Sequence, residues 1–118
     1  MIGLLMQSDL STTHGTLEAL RAYIADKSVP KYRQMEGLRL KIFLSDATGD
    51  TFGALYLWES EAALEAALPH LGSSVRARSA RAPRLQRFAV EAVVEGRHST
   101  PDLTRVGAAI DAARLRLV

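Results

Sequence analysis

The sequence predicts an α+β fold, one antiparallel sheet carrying two helices on one face, and three observations point to it. Two neighbouring stretches alternate in side-chain character and are joined by a glycine-bearing turn, the mark of a hairpin with two unlike faces. Two other stretches repeat their apolar residues at spacings of three and four, as helices with one buried stripe do. Apolar runs of strand length lie before the first helix and after the second.

The first strand is expected from Met1 to about Leu10, closed by the turn-like group Ser11-Thr12-Thr13-His14-Gly15. From Thr16 to Lys27, Leu17, Leu20 and Ile24 fall on one side of a helix, with Glu18, Arg21 and Asp26 between them. Pro30 restricts Val29 to extended conformations, so this helix should stop near there. After Gly37, Leu38, Leu40, Ile42 and Leu44 alternate with Arg39, Lys41, Phe43 and Ser45. Asp46-Ala47-Thr48-Gly49 supplies a tight turn, and a second hairpin strand follows from about Asp50 to Trp58.

Placing Ser45 opposite Asp50 sorts the hairpin into two faces. Leu38, Leu40, Ile42 and Leu44 then share one with Leu55 and Leu57. Arg39, Lys41, Phe43, Phe52, Tyr56 and Trp58 share the other. The aliphatic face is expected to pack on the helices, which leaves the aromatic and basic face in need of another cover.

Ser60 suits an N-cap, and Ala63, Leu64, Ala67 and Leu68 form one side of a short helix that ends at Pro69. Val75 to Pro83 reads as a loop or frayed helix, and a last strand is expected from about Leu85 to Glu95. Thr100, Pro101 and Asp102 start a separate helix whose residues Leu103, Val106, Ile110, Ala113 and Leu117 form a seam. The order strand, helix, strand, strand, helix, strand is ferredoxin-like. It defines a domain over residues 1–98, with residues 99–118 as a C-terminal helical extension. A bare aromatic face exceeds what a soluble monomer tolerates, so a homodimer closing face to face into a barrel-like assembly is expected.

With 118 residues there is room for one core and not for a second catalytic domain. A composition of 47% apolar and 24% charged residues is that of a globular chain. Fifteen basic against thirteen acidic residues leave +2, too little to demand nucleic acid or an anionic membrane. The absence of cysteine removes disulfides, zinc-thiolate sites, iron–sulfur clusters and thiol nucleophiles together. The opening run Met1 to Met6 has no basic start and meets Gln7, Ser8 and Asp9 before signal-peptide length. No apolar stretch approaches the roughly 18 residues of a membrane span, so a cytoplasmic protein with no membrane partner is expected.

Gly37-Leu38-Arg39-Leu40-Lys41-Ile42-Phe43-Leu44, then Thr48-Gly49-Asp50, then Phe52-Gly53-Ala54-Leu55-Tyr56-Leu57-Trp58-Glu59-Ser60 and Glu61-Ala62-Ala63 together resemble the YdhR-type monooxygenase family. That family belongs to the dimeric α+β barrel superfamily. Residues 37–63 carry the likeness and the element order extends it over residues 1–95. Ala54 stands where a second glycine is frequent, and the helix of residues 100–118 lies beyond the usual family end. The resemblance implies a homodimer and an oxidoreductase activity, the cofactor-independent oxygenation of a small aromatic or polyketide-like substrate, with neither metal nor flavin. Lys41, Tyr56, Trp58 and Glu59 match the family pattern by position, with no catalytic assignment to inherit.

Such chemistry needs a pocket that deprotonates an electron-rich, phenol-like substrate and stabilises its anion, so that the substrate itself reduces oxygen. Arg39, Tyr56 and His70 are the catalytic candidates, His70 because an imidazole titrates near neutrality. Lys41, Phe43, Phe52 and Trp58 are the candidates for substrate binding, with the aromatics stacking on a flat ring. The plainer reading makes these aromatics core, the two cations snorkelling groups at its edge, and His70 a surface residue. His14 and His98 share no metal-ligand spacing with His70, and Gly49 and Gly53 belong to the hairpin rather than to a dinucleotide fingerprint.

Arg76, Arg78, Arg81, Arg84 and Arg87 form the one charge asymmetry, with no acid between Glu65 and Glu91. Without aromatic interleaving or a nucleic-acid motif, these arginines are expected to pair with acids on a partner subunit rather than with nucleic acid. A non-enzymatic module of the same fold that binds or senses a small ligand is the alternative reading of the chain.

Overall fold

The computed structural model describes residues 1–9, 17–46, 51–71 and 82–97. Four strands, β1 (Ile2–Asp9), β2 (Leu38–Ser45), β3 (Thr51–Trp58) and β4 (Arg84–Ala89), form one antiparallel sheet in the order β2-β3-β1-β4. The helices are α1 (Leu17–Tyr23) and α2 (Val29–Arg33), joined by a π-helical turn over Ile24–Ser28, and α3 (Glu61–Ala67), which tightens into a 3₁₀ turn over Leu68–His70. This is the α+β, ferredoxin-like arrangement. The described chain divides into two compact units, one holding the sheet with α3 and the other holding residues 17–34 and 92–97. No helix among the described residues is long and apolar enough to cross a membrane.

β1 is central because Ile2 to Gln7 are matched on both sides. Ile2 to Asp9 pair with Trp58 to Thr51 of β3, and Ile2 to Gln7 pair with Ala89 to Arg84 of β4. In the β2–β3 hairpin Ser45 lies opposite Phe52 rather than Asp50. A slip of two residues changes every cross-strand partner and keeps side chains on their faces, so Leu40 to Ser45 and Phe52 to Trp58 are sorted as expected. An irregularity between Leu38 and Leu40 sets Arg39 outside the regular ladder and brings Leu38 opposite Trp58, onto the aromatic face rather than the expected aliphatic one.

The assignment of those faces to cover and solvent is corrected. Leu4, Ala54, Tyr56 and Trp58 are fully buried, and Met6 and Phe52 nearly so, all on the aromatic face. α3 lies over this face, because Arg87, in the row of Leu4 and Tyr56, forms ion pairs with Glu61 and Glu65 of that helix. The aliphatic face is the open one, with Leu40, Ile42, Leu44, Leu55 and Phe88 each between 40% and 45% exposed. Aromatic rings bury 150–250 Å² each, in round terms; covering Tyr56, Trp58 and Phe52 therefore removes more apolar area from water than covering the leucines does.

α3 starts as its sequence predicts, with the Ser60 hydroxyl accepting from the Ala63 amide at 3.1 Å. Leu64 and Ala67 are its buried residues. Gly37 ties the start of β2 to this helix. Its carbonyl accepts from the Glu59 amide at 2.9 Å, its φ is +77°, and a Cβ there would collide with that of Ala63. Gly37→Ala is therefore expected to destabilise the fold by at least about 1–2 kcal/mol, the usual cost of a left-handed L-residue. Urea denaturation checks this, and adding Ala63→Gly should return only the part due to collision. Gly53 has a different reason to be glycine, since a Cβ there would run into the Met6 carbonyl of β1.

Two element ends differ from expectation. The first helical segment continues past Pro30 to Arg33, with Val29 helical at φ −58° and ψ −50°. The Val29 amide donates to the Ile24 carbonyl five residues back, and Pro30 sits in the first turn of α2, where a missing N–H is tolerated. The wider turn thus absorbs the proline. β4 ends at Ala89 rather than Glu95 because Ala89 is paired with Ile2, the first residue of β1. Val94, past that end, is 87% exposed. The expected turn at 46–49, the loop at 75–83 and the helix at 100–118 fall largely outside the described residues, as do His14, His98, Arg76, Arg78 and Arg81.

Candidate functional site

Strand pairing draws one row of side chains across the sheet on its aromatic face: Lys41 of β2, Tyr56 of β3, Leu4 of β1 and Arg87 of β4. The rows beside it hold Trp58 with Ile2, and Phe43 with Ala54 and Met6. Tyr56 and Trp58 are two residues apart on one strand, and their rings stack at 5.8 Å between centroids and 15° between planes. Phe43 and Phe52 meet across the hairpin at 6.3 Å, tilted by 33°.

Lys41 joins the two aromatic pairs. Its ammonium lies 4.2 Å from the centroid of Phe43 and 4.5 Å from that of Tyr56, inside the range of cation–π attraction. β2 is an edge strand, and Lys41 and Phe43 are half-buried, whereas Tyr56 and Trp58 are fully enclosed. The cluster therefore grades from an accessible cation at the sheet edge to buried rings beneath α3. The buried Trp58 Nε1 has no hydrogen-bond partner among the described residues, so its N–H remains able to donate.

Five of the seven candidates, Lys41, Phe43, Phe52, Tyr56 and Trp58, come together in this way. Arg39 is placed differently, pairing with Glu59 at 3.5 Å with more than half of each side chain exposed. His70 is exposed at the end of the 3₁₀ turn. Arg87, expected to await acids on a partner subunit, instead meets Glu61 and Glu65 of its own chain. Its place in the Tyr56 row could be found only from the β1–β4 register. Ser8 was likewise hidden within an apolar run; its position opposite Phe52 puts it on the aromatic face.

No family model and no curated protein matches the sequence. Solved structures do match the fold, and oxygenases are among them. The chain is similar to SnoaB, a cofactor-independent oxygenase from Streptomyces nogalater, at 15% identity and a TM-score of 0.59, over 80% of this chain and 97% of that one. It is similar to the monooxygenase of ActVA-Orf6 from Streptomyces coelicolor, solved with the ligand nanaomycin D, at 10% identity and a TM-score of 0.55, over 80% and 91%. NE2512 from Nitrosomonas europaea, a protein of unknown function, matches at 17% identity and a TM-score of 0.61, over 80% and 93%. At these identities the likeness establishes the fold; the chemistry has to be argued from the side chains.

Proposed function

We propose that this chain is a monooxygenase-like protein of the YdhR type, acting without a cofactor on a small aromatic or polyketide-like substrate. The observation that carries the reading is the Lys41 ammonium over two aromatic rings at the half-open edge of a buried aromatic face. A phenol-like substrate lying against Phe43 and Tyr56 would bring its oxygen near that ammonium, which favours the phenolate. The phenolate then supplies the electrons that reduce oxygen: one oxygen atom enters the ring as the second carbonyl of a quinone, and the other leaves as water with the phenolic proton and the displaced ring proton. In this scheme Lys41 stabilises the anion, the Tyr56 hydroxyl and Trp58 indole N–H orient it, and Phe43 and Phe52 stack on its ring. Arg39 and His70, both at the surface, serve the margin of the site.

The same proposal includes a homodimer, formed through the aliphatic face rather than the aromatic one. Leu40, Ile42, Leu44, Leu55 and Phe88 lie together on it and are exposed in the single chain, an apolar patch of the kind that marks an interface. A cytoplasmic setting completes the reading.

Oxygen uptake with a panel of phenols and hydroxynaphthalenes tests it. Turnover is expected with at least one member, and Lys41→Met should lower kcat by about tenfold or more, while Arg39→Ala and His70→Ala have smaller effects. Thermal stabilisation by these compounds without oxygen uptake would select the ligand-binding module instead. Neither uptake nor stabilisation across the panel would overturn both.

A further inference from the structure

We propose that Ser8 is a substrate-recognition residue that hydrogen-bonds an oxygen substituent on the aromatic ligand, an inference that rests on the aromatic-ligand reading above. Ser8 follows Leu4 and Met6 on the covered face of β1 and lies opposite Phe52. It is only 6% exposed, and its Oγ has no hydrogen-bond partner among the described residues. Buried hydroxyls are nearly always satisfied, because an unmade hydrogen bond forfeits the water the group gave up. Alanine would fill the position without that loss.

The surroundings of Ser8 specify what it would meet. β4 pairs with β1 only as far as Gln7, so among the described residues Ser8 is flanked by a strand on the β3 side alone. On that side stands the Phe52 ring, against Phe43, with Lys41 beyond it. A wall of two tilted aromatic rings is thus bounded by a cation at one end and a neutral hydroxyl at the other. A hydroxyl both donates and accepts, so the group recognised is a phenolic hydroxyl or a ring carbonyl, distinct from the anionic oxygen assigned to Lys41.

Equilibrium dialysis with 1,6-dihydroxynaphthalene and 6-methyl-1-naphthol, which both offer Lys41 one oxygen and differ in the second polar group, tests the inference. The wild-type protein should bind the dihydroxy compound at least about fivefold tighter, the usual worth of one hydrogen bond. Ser8→Ala should abolish that preference, leave 6-methyl-1-naphthol binding unchanged and not lower Tm, while Ser8→Thr retains the preference. An undiminished preference in Ser8→Ala would overturn the role of Ser8. So would a fall of several degrees in its Tm, since the hydroxyl would then be engaged within the protein. Failure of the wild-type protein to bind either compound would instead overturn the aromatic-ligand reading, and the role of Ser8 with it.

Discussion

Trp58→Ala is expected to lower the free energy of unfolding by about 3–5 kcal/mol, the range for truncating a fully buried aromatic side chain. Trp58 is wholly enclosed, stacks on Tyr56 and lies between Ile2 of β1 and Leu38 of β2. Small domains have only about 5–15 kcal/mol in total, so the variant should unfold at a far lower urea concentration. Trp58→Phe separates packing from polarity. It keeps a ring against Tyr56 and removes an N–H that has no described partner, and should therefore cost much less stability than alanine does. A loss below about 1 kcal/mol for Trp58→Ala would show that the stack contributes little packing.

Leu55→Glu is expected to convert the proposed dimer to a folded monomer. Leu55 sits at the middle of the aliphatic face, between Leu5 of β1 and Ile42 of β2. In a single chain it is 40% exposed, so a carboxylate there remains hydrated and alters folding stability little. At a closed interface the same carboxylate would lose water without gaining a partner, a cost of several kcal/mol. Light scattering should give twice the 12.9 kDa chain mass for the wild-type protein and a single chain mass for the variant. A wild-type species of 12.9 kDa at every concentration would remove the aliphatic face as an interface.

Element types and face composition were legible in the sequence because they depend on local spacing. The alternation from Leu40 to Ser45 sorts side chains whatever the exact register, and Ser60 caps α3 through an atom three residues away, whereas the irregularity that moves Leu38 beside Trp58 has no such local mark. The choice of which face to cover depends on long-range packing. Both faces are apolar, and Lys41 and Arg39 make the aromatic one look wet; yet Lys41 spreads its ammonium over Phe43 and Tyr56, and Arg39 turns to Glu59. The site was legible in the same measure. Lys41, Phe43, Tyr56 and Trp58 share strand parity and so could be grouped, whereas Arg87 and Ser8 join the face only through pairing between segments far apart in the chain. The continuation of the first helical segment past Pro30 has no sequence mark, because a five-residue backbone bond leaves no side-chain pattern.

The irregularity at Arg39 also bears on how copies of the chain avoid one another. β2 ends the described sheet and presents a ladder edge on which another strand could template, the route to open-ended fibres. A break in its hydrogen-bond phase at Arg39, and a lysine two residues on, spoil that template much as bulges and edge lysines do in other β proteins. Growth by sheet extension is thereby penalised, which leaves the proposed face-to-face dimer, a contact that saturates at two copies, as the favoured mode of self-association.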